Sequence, residues 1–249
     1  MCAKSVDNLV FDDDWSDLTR TRDMPQINSA RMYEYRRERL REQLRLHEAD
    51  FCILLNPISL RYAVDYRSYM LFQSHIPTVY LFLPQDGPTV FYGCYYDVPQ
   101  VDDFRPGRPH AFFEGGTNID AAAKALADDV VAYLDEIGSR NRRVAIEYVN
   151  PSVTQALEAR GVEVIDGVRI AELARLIKSE DEIDCMRWAI AVGEHGAAMM
   201  KRALRPGVTE LQLWGLLNYT NIANNGDWHE GRMLSSGPRI NPWLQEASE

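Results

Sequence analysis

The spacing of apolar positions predicts an alternation of helices and strands from Asn28 onward. Met32, Leu40 and Leu44 recur at multiples of four after the capping residue Asn28, which predicts an amphipathic helix. Short apolar runs bounded by turn residues predict strands at Phe51–Leu55, Thr78–Leu83, Thr89–Tyr92, Arg143–Glu147 and Val162–Ile165. Helical spacing predicts further helices from about Asp120 to Ile137 and from about Pro151 to Arg160. This alternation over about 140 residues indicates one α/β domain with a mixed sheet.

A second group of elements begins at about residue 175, after the turn at Asp166 and a linking helix over Ile170–Leu176. A capping box at Ser179–Glu182 predicts the start of a long helix. Its predicted half-buried stripe is Ile183, Met186, Ile190, Gly193, Ala197, Met200 and Leu204. The same capping pattern at Thr209–Gln212 predicts another helix, and Asp227–Leu234 is predicted as a strand. So few elements cannot enclose a core of their own. We expect them to pack on the first domain, or residues to be missing beyond Glu249.

Composition and charge narrow the class of protein. Of 249 residues, 27 are Lys or Arg and 37 are Asp or Glu, so the formal net charge is -10. This charge gives no general attraction to nucleic acid or to an anionic membrane surface. No apolar run is long enough to cross a bilayer, and the acidic N-terminus is unlike a signal peptide. We therefore expect a cytoplasmic globular protein with no nucleic acid or membrane partner.

Motifs of catalysis are absent from the sequence. There is no H-E-x-x-H, G-x-S-x-G or P-loop, and the four cysteines form no C-x-x-C pair. His229 and Glu230 are adjacent, and adjacent strand residues point to opposite faces, so they are poorly placed to share a cation. The acidic cluster at residues 180–184 is explained by the helix dipole. The residues alone therefore nominate no catalytic group and no metal ligand.

Two segments in the right order resemble the creatinase, prolidase and aminopeptidase P superfamily. Residues 56–66, NPISLRYAVDY, are similar to an element of its N-terminal domain. Residues 178–187, KSEDEIDCMR, followed by RPGVTE at 205–210, resemble the start of its pita-bread catalytic domain. The resemblance implies a creatinase-like N-terminal domain with a mixed sheet over 28–174 and an incomplete pita-bread α+β domain over 175–249. Residues 1–27 lie outside it and are predicted to form an acidic N-terminal arm, because they include Asp12–Asp14 and show no sustained apolar period.

Within that superfamily the tail resembles the dimethylsulfoniopropionate (DMSP) lyases. Residues 235–246, SSGPRINPWLQE, match their pattern, whereas peptidases of the superfamily usually carry a histidine facing the substrate amide. Here Asn241 and Trp243 occupy that region. An indole offers one donor and a large apolar face and does not exchange protons at neutral pH, so peptide hydrolysis becomes the less favoured chemistry.

The resemblance implies a set of candidate substrate-binding residues. In the superfamily a loop of one subunit reaches the active site of its homodimer partner, which nominates Tyr69, Phe72 and His75. A sulfonium substrate would favour aromatic faces, which adds Trp228 and Trp243, and its carboxylate could pair with the guanidinium of Arg239 near Asn241. The alternatives are core packing for Tyr69 and Phe72, a structural hydrogen bond for His75, and backbone contacts in a turn for Arg239.

The resemblance also implies a two-metal centre, with iron the expected metal, whose ligands would follow Glu249. We therefore expect this chain alone to bind no stoichiometric metal and to be inactive. Three interpretations stay open: a fragment of a metal-dependent carbon–sulfur lyase, a fragment of an Xaa-Pro metallopeptidase acting on a dipeptide, and a non-catalytic dimerising module.

Overall fold

The computed structural model describes residues 24–67, 70–227, 229, 231–242 and 245–248. The chain divides into two compact units, one formed by Asn28–Ser179 and the other containing Glu180–Glu249. The domain boundaries at residues 27 and 174, which rest on sequence, stay predictions.

The first unit contains six strands and seven α-helices within the described residues. The strands are β1 (Phe51–Leu54), β2 (Tyr80–Pro84), β3 (Val90–Tyr92), β4 (Asp103–Arg105), β5 (Arg143–Ile146) and β6 (Glu163–Asp166). The helices are α1 (Ser29–Leu46), α2 (Pro57–Val64), α3 (Met70–His75), α4 (Phe112–Gly115), α5 (Ile119–Glu136), α6 (Pro151–Glu158) and α7 (Gly167–Arg175). The elements predicted from periodicity are thus confirmed to within a few residues at their ends.

The six strands form one mixed sheet in the order β4-β3-β2-β1-β5-β6. Strand β1 pairs antiparallel with β2, and β2 pairs antiparallel with β3, as the predicted hairpin requires. Strands β1, β5 and β6 run parallel to one another. The mixed α/β fold class expected from the sequence is confirmed.

Both faces of the sheet are covered by helices, which is why its central strands are apolar throughout. One face buries Cys52 and Leu54 of β1 beneath α1, α2 and α7. The other buries Phe51 and Ile53 of β1 beneath α5 and α6. On that second face, Tyr133 of α5 packs edge-on against Phe51, with ring centroids 4.9 Å apart. Alternate residues of one strand therefore serve two cores.

Four elements of the first unit were missed by the sequence analysis, namely α2, α3, the four-residue helix α4 and β4. In the sequence, the pair Asn56-Pro57 indicates only a turn. In the structure, Asn56 caps helix α2 and Pro57 occupies its first position. Helix α3 lies in the segment treated as a loop. Strand β4 is a half-exposed edge strand of three residues with no apolar run to reveal it.

The second unit contains α8 (Glu180–Ala203) and α9 (Glu210–Ala223), both predicted, and a 3₁₀ turn over Gly237–Ile240. The capping box of Thr209 with Gln212 is present at the start of α9. The predicted buried stripe of α8 is wrong. Ile183, Met186, Ile190 and Leu204 are exposed, while the helix buries Ala191, Val192, His195, Met199 and Ala203.

Small residues explain which face of α8 packs. An added Cβ at Gly196 would lie 2.7 Å from Leu217 Cδ1 of α9, so the glycine permits a close approach of the two helices. Apolar periodicity gives most weight to large side chains and does not register this contact surface.

The strand predicted over Asp227–Leu234 is also wrong for the described residues of that span, none of which is in a strand. Side chains of α9 hold this segment instead. Asn221 Nδ2 donates to the Asp227 carbonyl at 2.6 Å, and His229 Nδ1 lies 3.0 Å from Asn218 Oδ1. Among the described helices, none has the length and apolar character needed to cross a bilayer.

Candidate functional site

A cleft opens in the first unit where the chain leaves strands β1 and β5. The two strands are parallel neighbours, so their carboxyl ends lie at the same edge of the sheet. After β1 the chain enters α2 on one face of the sheet, and after β5 it enters α6 on the opposite face. Such a divergence is a topological switch point, the usual position of ligand crevices in open α/β sheets.

The cleft has a volume of about 310 Å³, at the lower end of the range for small-molecule sites. Four segments of the first unit line it, namely the chain after β1, the chain after β5, the C-terminal part of α3 with the residue Pro77 beyond it, and the loop that leads into α4. The residues are Leu55, Asn56, Pro57, Gln73, Ser74, His75, Pro77, His110, Ala111, Phe112, Tyr148, Val149 and Asn150.

The same local device forms both strand ends of the cleft. Asn56 Oδ1 accepts the amide of Ile58 at 2.9 Å, and Asn150 Oδ1 accepts the amide of Ser152 at 3.0 Å. In each case a proline follows and occupies the first helical position. Each asparagine thereby starts a helix at the cleft wall.

A buried carboxylate ties the two strand ends together beneath the cleft. Glu147 Oε2 accepts the amides of Leu55 and Asn56, both at 2.7 Å, and Oε1 accepts the Ser59 hydroxyl at 2.6 Å. Burial raises the pKa of the Glu147 carboxyl, although these hydrogen bonds oppose the shift. The carboxyl fixes the loop after β1 to the end of β5.

The buried side chain of Gln73 holds another part of the cleft wall, the segment after α3, by hydrogen bonds to backbone groups. Its Nε2 donates to the carbonyls of Leu55 at 2.9 Å and Val79 at 2.8 Å. Its Oε1 accepts the amide of Thr78 at 2.9 Å. The segment that follows α3 is therefore held against β1 by a side chain that is itself buried.

His110 is the buried polar residue of the cleft wall. It is 1% exposed, and its Nδ1 lies 3.1 Å from the Arg108 carbonyl. Its ring meets Tyr80 edge-on, with centroids 5.2 Å apart. Burial lowers the pKa of the imidazole. Its Nε2 is buried and has no hydrogen-bond partner within the described part of the chain.

Of the predicted site residues in the first unit, His75 lines the cleft. Phe72 is not among the lining residues, but it directly precedes the lining residue Gln73 in the sequence. Phe72 is 39% exposed and packs edge-on against Phe113, with ring centroids 5.7 Å apart. Phe112 and Tyr148 are also exposed aromatics at the cleft. Tyr69 lies outside the described residues.

In the second unit, Trp228 and Trp243 lie outside the described residues, whereas Arg239 and Asn241 are described. The Arg239 guanidinium pairs with the Glu210 carboxylate, and its Nη1 donates to the Glu246 carbonyl at 3.2 Å. Asn241 is exposed. The contact with the Glu246 carbonyl is of the backbone type that the sequence analysis set against substrate binding, whereas the ion pair with Glu210 was not predicted. Substrate binding by Arg239 and Asn241 stays a prediction.

Glu210 binds several residues of the segment from Ser236 to Ser248 in the second unit. Besides Arg239, its carboxylate accepts the Ser236 hydroxyl at 2.6 Å and the Ser248 amide at 3.0 Å. The hydrogen bond from Ser236 holds the pKa of Glu210 below its ordinary value. One side chain at the start of α9 thus binds three points of the segment from Ser236 to Ser248.

Glu210→Ala is expected to loosen that segment, because all three contacts lose their acceptor. Limited proteolysis should cut between Ser236 and Ser248 several times faster than in the parent chain. Glu194→Ala, which removes an exposed carboxylate of α8, is the matched control and should leave the cleavage rate unchanged. Equal cleavage of the two variants would show that Glu210 does not hold the tail.

No group of three or more His, Cys, Asp or Glu side chains in the described ranges is placed to hold a metal ion. The residues described here therefore do not fit the metal centre that the superfamily resemblance implies.

The sequence analysis missed His110, Glu147, Tyr148 and Asn150. A usable signal existed for one of them, because Asn56 and Asn150 each follow a predicted strand and precede a proline. Two strands with the same exit signal indicate two helix starts at one sheet edge. His110 lies in a loop with no periodicity, and only the folded chain shows its burial.

No family model matches the chain. It is 33% identical over 228 residues to a dimethylsulfoniopropionate lyase DddP from Roseovarius nubinhibens, which covers 87% of this chain and 51% of that protein. It is also 33% identical over 236 residues to the DddP of Roseobacter denitrificans, covering 90% of this chain and 52% of that one. The chain thus spans about half the length of these curated relatives.

The fold has solved counterparts. An Xaa-Pro dipeptidase from Bacillus anthracis superposes with a TM-score of 0.52 at 20% identity, over 76% of this chain and 48% of that one. The chain has the fold of the creatinase, prolidase and aminopeptidase P superfamily, as its motifs predict. Its sequence is similar to the matching half of the two DMSP lyases of the DddP type.

Proposed function

We propose that the protein to which this chain belongs is a carbon–sulfur lyase that converts DMSP to dimethyl sulfide and acrylate. The observation that carries the proposal is the 33% identity to two DMSP lyases over 87% and 90% of this chain. The chain would supply the substrate-facing part of such an enzyme.

The reaction is a β-elimination. A base takes the proton on the carbon next to the carboxylate, and the electrons of that C–H bond form the new double bond. The carbon–sulfur bond breaks with its electron pair going to sulfur, which leaves as neutral dimethyl sulfide. A metal bound elsewhere in the protein, with iron the metal we favour, would supply polarisation of the carboxylate.

Residues of the first unit would contribute recognition of the sulfonium group. A cation over an aromatic face gains roughly 0.5–2 kcal/mol, more when the site is desolvated. Phe72 and Phe113 offer such faces and are partly exposed. As in the superfamily, the segment carrying Phe72 and His75 would approach the active site of a second copy, in a cytoplasmic homodimer. Trp228, Trp243, Tyr69, Arg239 and Asn241 stay candidates for the same pocket.

An Xaa-Pro peptidase is the second candidate, and the fold match to a dipeptidase supports it. The sequence near the end of the chain counts against this candidate, because Asn241 and Trp243 lie in the region where the peptidases usually carry a histidine. A non-catalytic dimerising module is the third candidate. A coding region that continues past Glu249 with acidic strand motifs would favour either enzyme over the module.

Supplied with iron, the protein from the complete reading frame is expected to convert DMSP to equimolar dimethyl sulfide and acrylate, and to release no proline from an Xaa-Pro dipeptide. Gas chromatography, proton NMR and amino-acid analysis measure these products. The 249-residue chain assayed alone should show little turnover and no stoichiometric metal. Release of proline with DMSP untouched would establish the peptidase instead.

A matched pair of variants tests the aromatic contribution. Phe72 and Phe104 are both 39% exposed, but Phe104 lies on the edge strand β4, away from the cleft residues. Phe72→Leu should raise KM for DMSP about fivefold to tenfold, because an apolar side chain without a π face replaces the ring. Phe104→Leu should leave KM unchanged. Equal effects would remove Phe72 from the pocket.

A further inference from the structure

The unsatisfied Nε2 of His110 calls for a partner that the described chain does not provide. Buried polar atoms in folded proteins nearly always have a hydrogen-bond partner, so an orphan in the wall of a cleft indicates a position for a bound group. The cleft lies at the switch point between β1 and β5, where open α/β sheets bind ligands. These observations are independent of the proposed function.

The neighbouring carbonyl fixes what kind of group this is. A carbonyl oxygen only accepts hydrogen bonds, so the 3.1 Å contact with Arg108 O places the proton of a neutral imidazole on Nδ1. The Nε2 then carries a lone pair and acts as an acceptor. Burial lowers the pKa of His110 and so favours this neutral form. The partner must therefore be a donor.

The walls of the cleft supply the complementary groups. The side-chain oxygens of Asn56 and Asn150 are engaged in capping, whereas their Nδ2 groups donate to none of the described residues. An amide NH₂ is a donor suited to a carbonyl oxygen. Tyr148 and Phe112 add exposed aromatic surface beside them. The described cleft residues include no Lys, Arg, Asp or Glu, so a charged ligand would find no ammonium, guanidinium or carboxylate partner among them.

We propose that this cleft is a binding site for a small uncharged amide, whose N–H donates to His110 Nε2 and whose carbonyl accepts from the side-chain amide of Asn56 or Asn150. A carboxylate of the same shape lacks the donor and would direct its oxygens at the imidazole lone pair. A tertiary amide likewise lacks the N–H. The site thus distinguishes among three ligands of similar size.

Propionamide, propionate and N,N-dimethylpropionamide are the probes, each titrated at about pH 8 into the ¹⁵N-histidine-labelled 249-residue chain. The chain has five histidines, so His110→Asn assigns the signal by its loss. Propionamide should shift the His110 Nε2 resonance saturably, with a Kd on the order of millimolar for so small a ligand. The other two probes should produce no saturable shift.

Variants of His110 test whether binding depends on an acceptor atom at the Nε2 position or is lost through general disruption of the fold. His110→Asn can keep the contact to Arg108 O but lacks an atom at the Nε2 position, and it should weaken propionamide about tenfold. His110→Gln, which can place an acceptor near that position, should restore most of the affinity. Asn56→Asp and Asn150→Asp each keep the capping oxygen and remove the amide donor, so at least one of the two should also weaken binding.

Three results would overturn the proposal. One is an equal response to all three probes, which would indicate non-specific partitioning. Another is a His110 signal that stays constant with propionamide up to its solubility limit. The third is undiminished binding by His110→Asn with an unchanged melting temperature. Thermal unfolding of each variant, monitored by circular dichroism, verifies that the chain remains folded during the titrations.

Discussion

Glu147→Ala is expected to lower the free energy of unfolding by about 3–5 kcal/mol. The substitution removes the acceptor of two backbone amides and one hydroxyl, and an unsatisfied buried donor costs about 1–3 kcal/mol. The cost is concentrated at one point of the fold, where the end of β5 holds the loop after β1. Urea unfolding followed by circular dichroism measures it.

Glu158→Ala is the matched control for Glu147→Ala. Glu158 is an exposed carboxylate in the last turn of α6, so its removal should change stability by no more than about 0.5 kcal/mol. Glu147→Gln should fall between the two, because the amide keeps one acceptor oxygen but presents an NH₂ group to the remaining donors. A loss of less than about 1 kcal/mol in Glu147→Ala would mean that water replaces the carboxylate.

The pH dependence of the same variants tests the protonation of Glu147. Burial raises its folded-state pKa above the unfolded value of about 4.3, so the native state binds the proton more tightly than the unfolded state does. The resulting stability is fully present below the unfolded pKa and is lost as the pH rises through the folded pKa. The stability difference between the parent chain and Glu147→Gln should therefore shrink as the pH rises above the unfolded-state pKa and through the raised folded-state pKa. Growth of that difference would show that the three hydrogen bonds outweigh burial.

Much of the first unit could be predicted because its elements carry their own signals. The strand Phe51–Leu54 is apolar at every position, as a strand covered on both faces must be. Asn28 caps α1 as its sequence predicts, accepting the Arg31 amide at 3.0 Å. The α8 stripe was wrong because burial there follows the close approach that Gly196 permits, which hydropathy does not measure.

The candidate site was less predictable than the fold. His75 came from family resemblance, but Glu147 belongs to a predicted strand end and looks like an ordinary polar terminus in the sequence. Its role depends on donors about 90 residues away in the chain, which only strand order brings together. The same holds for His110. Its Nε2 indicates a binding position only because the folded chain buries the ring beside Tyr80, and the sequence does not reveal that burial.

Gly167→Ala is expected to destabilise the first unit by about 3 kcal/mol through steric overlap with the backbone of β5. A Cβ at this position would lie 2.5 Å from the Ile146 carbonyl carbon and 2.7 Å from the Glu147 nitrogen. Backbone atoms of a central strand cannot move aside as a flexible side chain could, so the cost should reach the upper part of the range for overpacking. Urea unfolding of the variant measures this loss.

Gly193→Ala is the control that separates overlap from the general effect of replacing a glycine in a helix. Gly193 lies inside α8, and no described atom beyond its own stretch of that helix lies within 4 Å of an added Cβ, so alanine should stabilise the helix by up to about 1 kcal/mol. The two glycines should therefore change stability in opposite directions. Because Gly167 contacts the backbone at Glu147, its substitution should also weaken propionamide binding in the cleft, whereas Gly193→Ala should leave that binding unchanged. A destabilised Gly167→Ala chain that binds propionamide normally would show that the end of β5 tolerates displacement without disturbing the cleft.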